Sequence, residues 1–288
     1  MPDIWEVASI IVKLALYLGI IGSVGLTMIS ISFAELVAPL NALIRSLTVG
    51  LAGLAVFATL LSFMLRGAAL TGGGDGMIDP EMLGLLWTTQ VGDVLVFRLL
   101  GITMILVGQF VPRIGQWIAL VGGTLALWSF TQIGHVPQIE QAGVRFLLLL
   151  HLLGISFWVG VLGPLRELSR DPDSHQRAAL LGHRFGQTAL LIVPISIIAG
   201  VLMAWLILGN ISALFTTGYG LALLAKMALV GLVLIMAAVN KLRFVPAVQS
   251  GDPLAARHLA RSIEIETLLI LVVLGATATL TSILPLPN

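Results

Sequence analysis

Two histidines and a set of methionines are the side chains here best suited to chemistry. His151 follows Arg145 inside an uncharged run, which sets it about 9 Å along a helix at roughly 1.5 Å per residue. Imidazole is too short to reach the interface from that depth. The ring is therefore either hydrogen-bonded to a neighbouring helix or a ligand for a metal or haem. His135 closes the preceding apolar run in FTQIGHVPQ, and the short connection to Arg145 could bring both rings to one pocket. Thioethers are soft ligands that suit monovalent copper better than zinc, magnesium or iron. Met77, Met82, Met203 and Met227 fall at the same end of the expected layout as the two histidines. Each is equally an ordinary core filler. With no cysteine in the chain, disulfides, thiolate metal sites and thiol redox chemistry are all excluded.

Other ionisable groups lie within apolar runs, where each is costly unless it reaches the interface or finds a partner. Lys13 and Arg98 lie near run ends and are expected to snorkel as anchors. Lys226 sits deeper and must be paired or hydrated. Glu264 and Glu266 open the last run, where a helix N-terminal dipole accounts for them. Asn240 closes the seventh run, as a cap or as a helix-to-helix hydrogen bond. His175, His183 and His258 lie among arginines, which disfavour a bound cation.

The elements that must position these residues follow from composition. Of 288 residues, 58% are hydrophobic and 10% charged, and the mean hydropathy is +1.06. Such a chain cannot hide its apolar surface in one water-facing globule. Charge-free runs long enough to cross a bilayer lie near residues 8–33, 44–65, 93–112, 114–134, 145–165, 185–208, 219–241 and 262–284. The expected fold is an all-α polytopic bundle of about eight transmembrane helices. Pro112 breaks the third run from the fourth as a tight hairpin, and GNISALFTTGYG turns the sixth into the seventh. Placing both termini outside puts Arg45, Arg113, Arg166, Arg170, Arg177, Arg184, Lys241, Arg243, Arg257 and Arg261 inside, as the positive-inside rule requires. The first apolar run reads as a retained span rather than a signal peptide. Two four-helix halves, 1–134 and 135–288, are expected.

A net charge of +1 offers nothing to a nucleic acid. No Walker or GxGxxG pattern occurs in strand context, and no loop is long enough for a soluble catalytic domain. An enzyme is therefore not expected; a lipid bilayer is the first partner.

His151 opens HLLGISFWVGVLGPL, which resembles the His-x6-Trp-x-Gly segment of the copper resistance protein D (CopD) family of bacterial inner-membrane proteins. HRFGQTAL, YGLALLAKMALVGLVLIMAAVNKLRFVP and RSIEIETLLILVVLGATATLTSILP follow that family's C-terminal domain in order and spacing, through Arg184, Phe185, Tyr219, Gly220, Lys226, Asn240, Arg261, Glu266 and Pro285. The resemblance covers roughly residues 135–285. It implies copper transport across the inner membrane, with import the usual direction, in copper homeostasis or resistance. Copper, as Cu(I), would be caught by Met77 and Met82, passed to His135 and His151, and met further by Met203 and Met227. Trp158 would pack or gate the path, Lys226 and Glu266 would relay protons, and a periplasmic copper-binding protein would be the donor. Two alternatives stand beside it: a b-type haem protein with His135 and His151 as axial ligands, and a copper-enzyme assembly factor without net transport.

Overall fold

The structure is a computed structural model that describes residues 4–133 and 143–282, and every regular element among them is helical. Eight long helices carry the chain: α1 (Ile4–Ser32), α2 (Asn41–Thr71), α3 (Gln90–Gly108), α4 (Gly115–Trp128), α5 (Val144–Arg170), α6 (His175–Leu208), α7 (Gly218–Val239) and α8 (Pro253–Leu280). Among the described residues, seven are long and apolar enough to cross a membrane. α4, the fourth expected span, has 14 residues, about 21 Å of helix, and one 3-10 turn, Ser129–Thr131, extends it. The protein is an all-α, multi-pass membrane protein.

Local signals set the breaks. The α3–α4 hairpin turns at Pro112, with Arg113 in the left-handed region at φ 64°. α2 stops at Gly72, whose φ of 75° ends the helix without the strain a Cβ would bring. Thr217 accepts from the Gly220 amide to start α7. Asp252 accepts from the Leu254 amide, and Pro253 opens α8.

α1 is the hub. It packs against α2, α4, α5 and α8, and its side chains from Ile20 to Ile29 are largely buried. Its crossing with α5 is backbone on backbone. A Cβ on Gly25 would stand 2.8 Å from the Gly160 nitrogen, and one on Gly160 would stand 2.7 Å from the Gly25 Cα. Glycine at both positions is what permits that approach. α7 is the outlier: only 6% of its apolar window is buried against the rest of the protein.

The end of the bundle holding the start of α1 is called the N face here. There Lys13 Nζ donates to the Thr281 carbonyl at 2.8 Å, and the Tyr17 hydroxyl lies 3.2 Å from Thr281 Oγ1. At the opposite face Glu264 bridges Arg166 at 2.9 Å and Arg170 at 2.6 Å. Arg170, Arg257 and Arg261 line a cleft of about 490 Å³ at that face.

Two expectations change. Arg98 is no interfacial anchor: it is 4% exposed, its Nε donates to Ser129 Oγ at 3.0 Å, and its guanidinium lies 4.9 Å from the Phe130 ring centroid. The polar and aromatic groups at the end of α4 give it a buried alternative to snorkelling. The last helix begins at Pro253 rather than near residue 262. PLAARHLARS is helical because Ala255, Ala256, Leu259, Ala260 and Ile263 form one buried stripe beneath its arginines.

Candidate functional site

α5 and α6 approach closely on small residues. A Cβ on Gly154 would strike the Ser196 hydroxyl, and one turn further along α6 Gly200 faces His151. A Cβ at Gly200 would stand 3.1 Å from the imidazole Cε1 and 3.3 Å from Nδ1, so the ring occupies the space left by an absent side chain. The Ser196 carbonyl accepts from His151 Nδ1 at 2.8 Å. That bond fixes one tautomer: the proton sits on Nδ1 and the lone pair on Nε2. Neither Ser196 nor Gly200 was singled out from sequence. The small-x3-small spacing in SIIAG was the signal for such a close approach.

Met203 lies one further turn along α6. It is 7% exposed and packs with Val144 against Leu147 and Leu148 of α5, on the same interface as His151 and toward the N face. Met77 closes a 3-10 turn, Gly74–Met77, and packs against the core around Val12 and Leu16 of α1. Met82 is half-buried in the short helix Pro80–Trp87. These two methionines belong to the N-terminal half and do not join Met203 in one cluster. Met227 is 48% exposed on α7. His135 lies outside the described residues. Among those described, no three His, Asp or Glu side chains converge on one point.

Deeper in the bundle, three of the singled-out residues meet. Trp158 stands seven positions beyond His151 on α5, about 10 Å further along. Its Nε1 donates to Glu266 Oε1 at 2.6 Å. Asn240 Nδ2 donates to Glu266 Oε2 at 2.8 Å. Glu266 is 2% exposed and Asn240 8%. A π turn, Asn240–Phe244, interrupts the end of α7 at this point; such turns redirect side chains out of the helical register. Asn240 Oδ1 is buried without a hydrogen-bond partner. Of the two sequence readings of Asn240, the helix-to-helix bond is the one observed. Glu266 is no helix-end carboxylate either, because α8 starts well before it. Each of its oxygens holds one donor, so the carboxylate ties α5, α7 and α8 together.

Lys226 is half-buried on α7, near enough to His151 for its ammonium to act on the imidazole electrostatically. Among the described residues it makes no hydrogen bond or ion pair. The arrangement therefore combines a ring nitrogen with a free lone pair, a buried thioether one turn away, and a carboxylate below them.

Two family models match the chain in tandem: copper resistance protein D-like, N-terminal domain, over residues 1–142, and copper resistance protein D over residues 179–280. The chain belongs to the copper resistance protein D family. It is also similar to copper transport protein CutJ of Bacillus subtilis (strain 168), at 30% identity over 214 residues. That match takes in 68% of this chain and 39% of CutJ, so the chain spans well under half of this relative's length. No solved structure matches it. Within the copper resistance protein D family match lie Met203, Lys226, Met227, Asn240 and Glu266; Met77 and Met82 fall in the N-terminal match, and His151 and Trp158 between the two. Membership and the apolar helices make the chain a multi-pass inner-membrane protein.

Proposed function

We propose that this protein carries copper, as Cu(I), across the inner membrane through its C-terminal half, with import the direction of flow. The observation that carries the reading is the 2.8 Å bond from His151 Nδ1 to the Ser196 carbonyl. A metal-ligating histidine commonly donates its other ring N–H to a backbone carbonyl, which fixes the tautomer and raises the basicity of the ligating nitrogen. Met203 supplies a soft donor on the same helix interface. His135, Met77, Met82 and Met227 are assigned to capture of the ion from a soluble copper-binding donor at the N face.

Below His151, Trp158 narrows the path and Glu266 offers negative charge to the moving cation or to a counter-moving proton. Lys226 opposes cation residence beside His151 and favours onward release. A membrane potential alone drives an inward monovalent cation by about 2.3 kcal/mol per 100 mV. Proton relay by Glu266 and Lys226 is then a second source of drive. Collapsing the proton gradient at constant potential is expected to slow transport, and unchanged transport would assign the drive to potential alone.

The deciding experiment is cellular copper content in a bacterial host making the protein or its His151→Ala variant at matched membrane abundance. Wild type is expected to raise copper and the variant to match cells without the protein. A fall with wild type would reverse the direction. No difference, together with a Soret band in the purified protein, would replace transport by haem chemistry.

A subtler change tests the cradle. Gly200→Val puts carbon where the ring now lies and is expected to weaken Cu(I) binding by tenfold or more, the range seen when outer-shell support of a ligand is lost. Competition with a Cu(I) chelator measures this. Equal affinity in the two proteins would detach the cradle from metal binding.

A further inference from the structure

Charged groups inside an apolar bundle must be paired, hydrated or neutralised. Glu264 does this for Arg166 and Arg170, but no carboxylate among the described residues does it for Arg98. Among the described residues, Arg98 forms no ion pair, and its one hydrogen bond uses Nε on Ser129. Beside it, between α2 and α3, lies a cavity of about 20 Å³.

Thr59, Ser62, Arg66 and Arg98 are the polar residues of its lining, and no described carboxylate joins them. Thr59 is 1% exposed and its hydroxyl is buried with no hydrogen-bond partner. The hydroxyl of Thr48, also on α2, is buried without a partner as well, whereas other helical threonines bond back along their helix. Thr27, Thr124 and Thr267 each turn their hydroxyl back to the carbonyl four residues earlier, at 2.9, 2.9 and 2.7 Å. Thr59, with this unpaired hydroxyl, thus lines the same cavity as two arginines. Of those two, Arg66 is exposed and Arg98 is buried.

We propose that this cavity is a binding site for a small inorganic monovalent anion, with chloride the natural occupant. The space accepts about one water-sized guest, which suits a halide and excludes a phosphate. Water would hydrate the guanidinium groups without neutralising them, whereas a halide accepts from Arg98, Arg66 and Thr59 together. The site lies in the N-terminal half, apart from His151, so it does not depend on the copper reading.

The test is thermal unfolding of the purified protein in chloride against gluconate at constant ionic strength. An anion that binds only the folded state at free concentration L stabilises it by RT ln(1 + L/Kd), so the melting temperature climbs with the logarithm of its concentration above Kd. Wild type is expected to show this with chloride and bromide and not with phosphate. Arg98→Gln is the obvious variant but risks misfolding, so Thr59→Val and Arg66→Gln carry the test. Thr59→Val is expected to raise the chloride dissociation constant fitted from that climb roughly tenfold, as loss of one hydrogen bond to an ion predicts. Arg66→Gln should raise it as well. Equal melting in chloride and gluconate, or an unaltered response in both variants, would overturn the site and leave the cavity to water. A response to phosphate equal to that to chloride would overturn the halide assignment.

Discussion

Leucine at position 266 is expected to leave the bundle poorly assembled, whereas glutamine there is expected to fold normally and yet carry no copper. Trp158 Nε1 and Asn240 Nδ2 both donate to Glu266, which is 2% exposed. With leucine, two buried donors lose their acceptor, each at a cost of about 1–3 kcal/mol, and the link among α5, α7 and α8 is gone. Glutamine keeps the link. Its carbonyl accepts from Trp158, and its amide donates to Asn240 once the asparagine amide turns over, which would also satisfy the Oδ1 that now lacks a partner. What glutamine removes is the negative charge. Melting temperature with size-exclusion profile reads the first effect, and cellular copper content reads the second. A Gln variant that transports as well as wild type would show that the charge is not used. A Leu variant as stable as wild type would show that the link is not structural.

Valine at Gly25 is expected to separate α1 from α5 and abolish recovery of monodisperse protein. The atoms in its way are Ser156 and Gly160 backbone, which cannot turn aside as a side chain can. The cost therefore exceeds the roughly 1–3 kcal/mol of ordinary overpacking. Alanine at Gly25 or at Gly160 is expected to lower the melting temperature as well, and the pair together by less than the sum because both act on one contact. Gly53 and Gly231, which have nothing within 4 Å of a built Cβ, should accept alanine without loss. Equal tolerance at all four sites would contradict the close crossing.

Hydropathy and the glycine, proline and threonine signals are enough to read an all-α multi-pass bundle, the Pro112 hairpin and the turn before α7, while the fourth expected span proves to be a helix of 14 residues. Those features are written in local sequence, because a span needs only length and a break needs only a residue that ends it. The start of α8 is not legible locally, since the charges in ARHLARS mask the buried alanine and leucine stripe beneath them. Glu266 then looked like a helix-end carboxylate. Its partners lie 108 and 26 positions away, and no local pattern encodes such a meeting. His151 was legible because an imidazole at that depth needs an explanation; Ser196 and Gly200, which orient it, carry no charge and drew no attention. The burial of Arg98 is hidden from the sequence for a related reason. Its buried partners, Ser129 and Phe130, sit at the end of a different helix, and only the folded hairpin brings them alongside.

The bond between Lys13 and Thr281 joins residues separated by 268 positions, and that separation has a meaning in time. At a synthesis rate of roughly 5–20 residues per second, the ammonium of the first helix exists for about 15–50 s before its acceptor is made. Until then α1 must keep that charge in the headgroup region or among waters. Arrival of the last helix lets Lys13 settle and brings Glu266 to Trp158 and Asn240, which are already waiting. Arrival of α8 is thus a latch: a chain stalled before it leaves Lys13 and Trp158 in the bundle without their acceptors, Thr281 and Glu266.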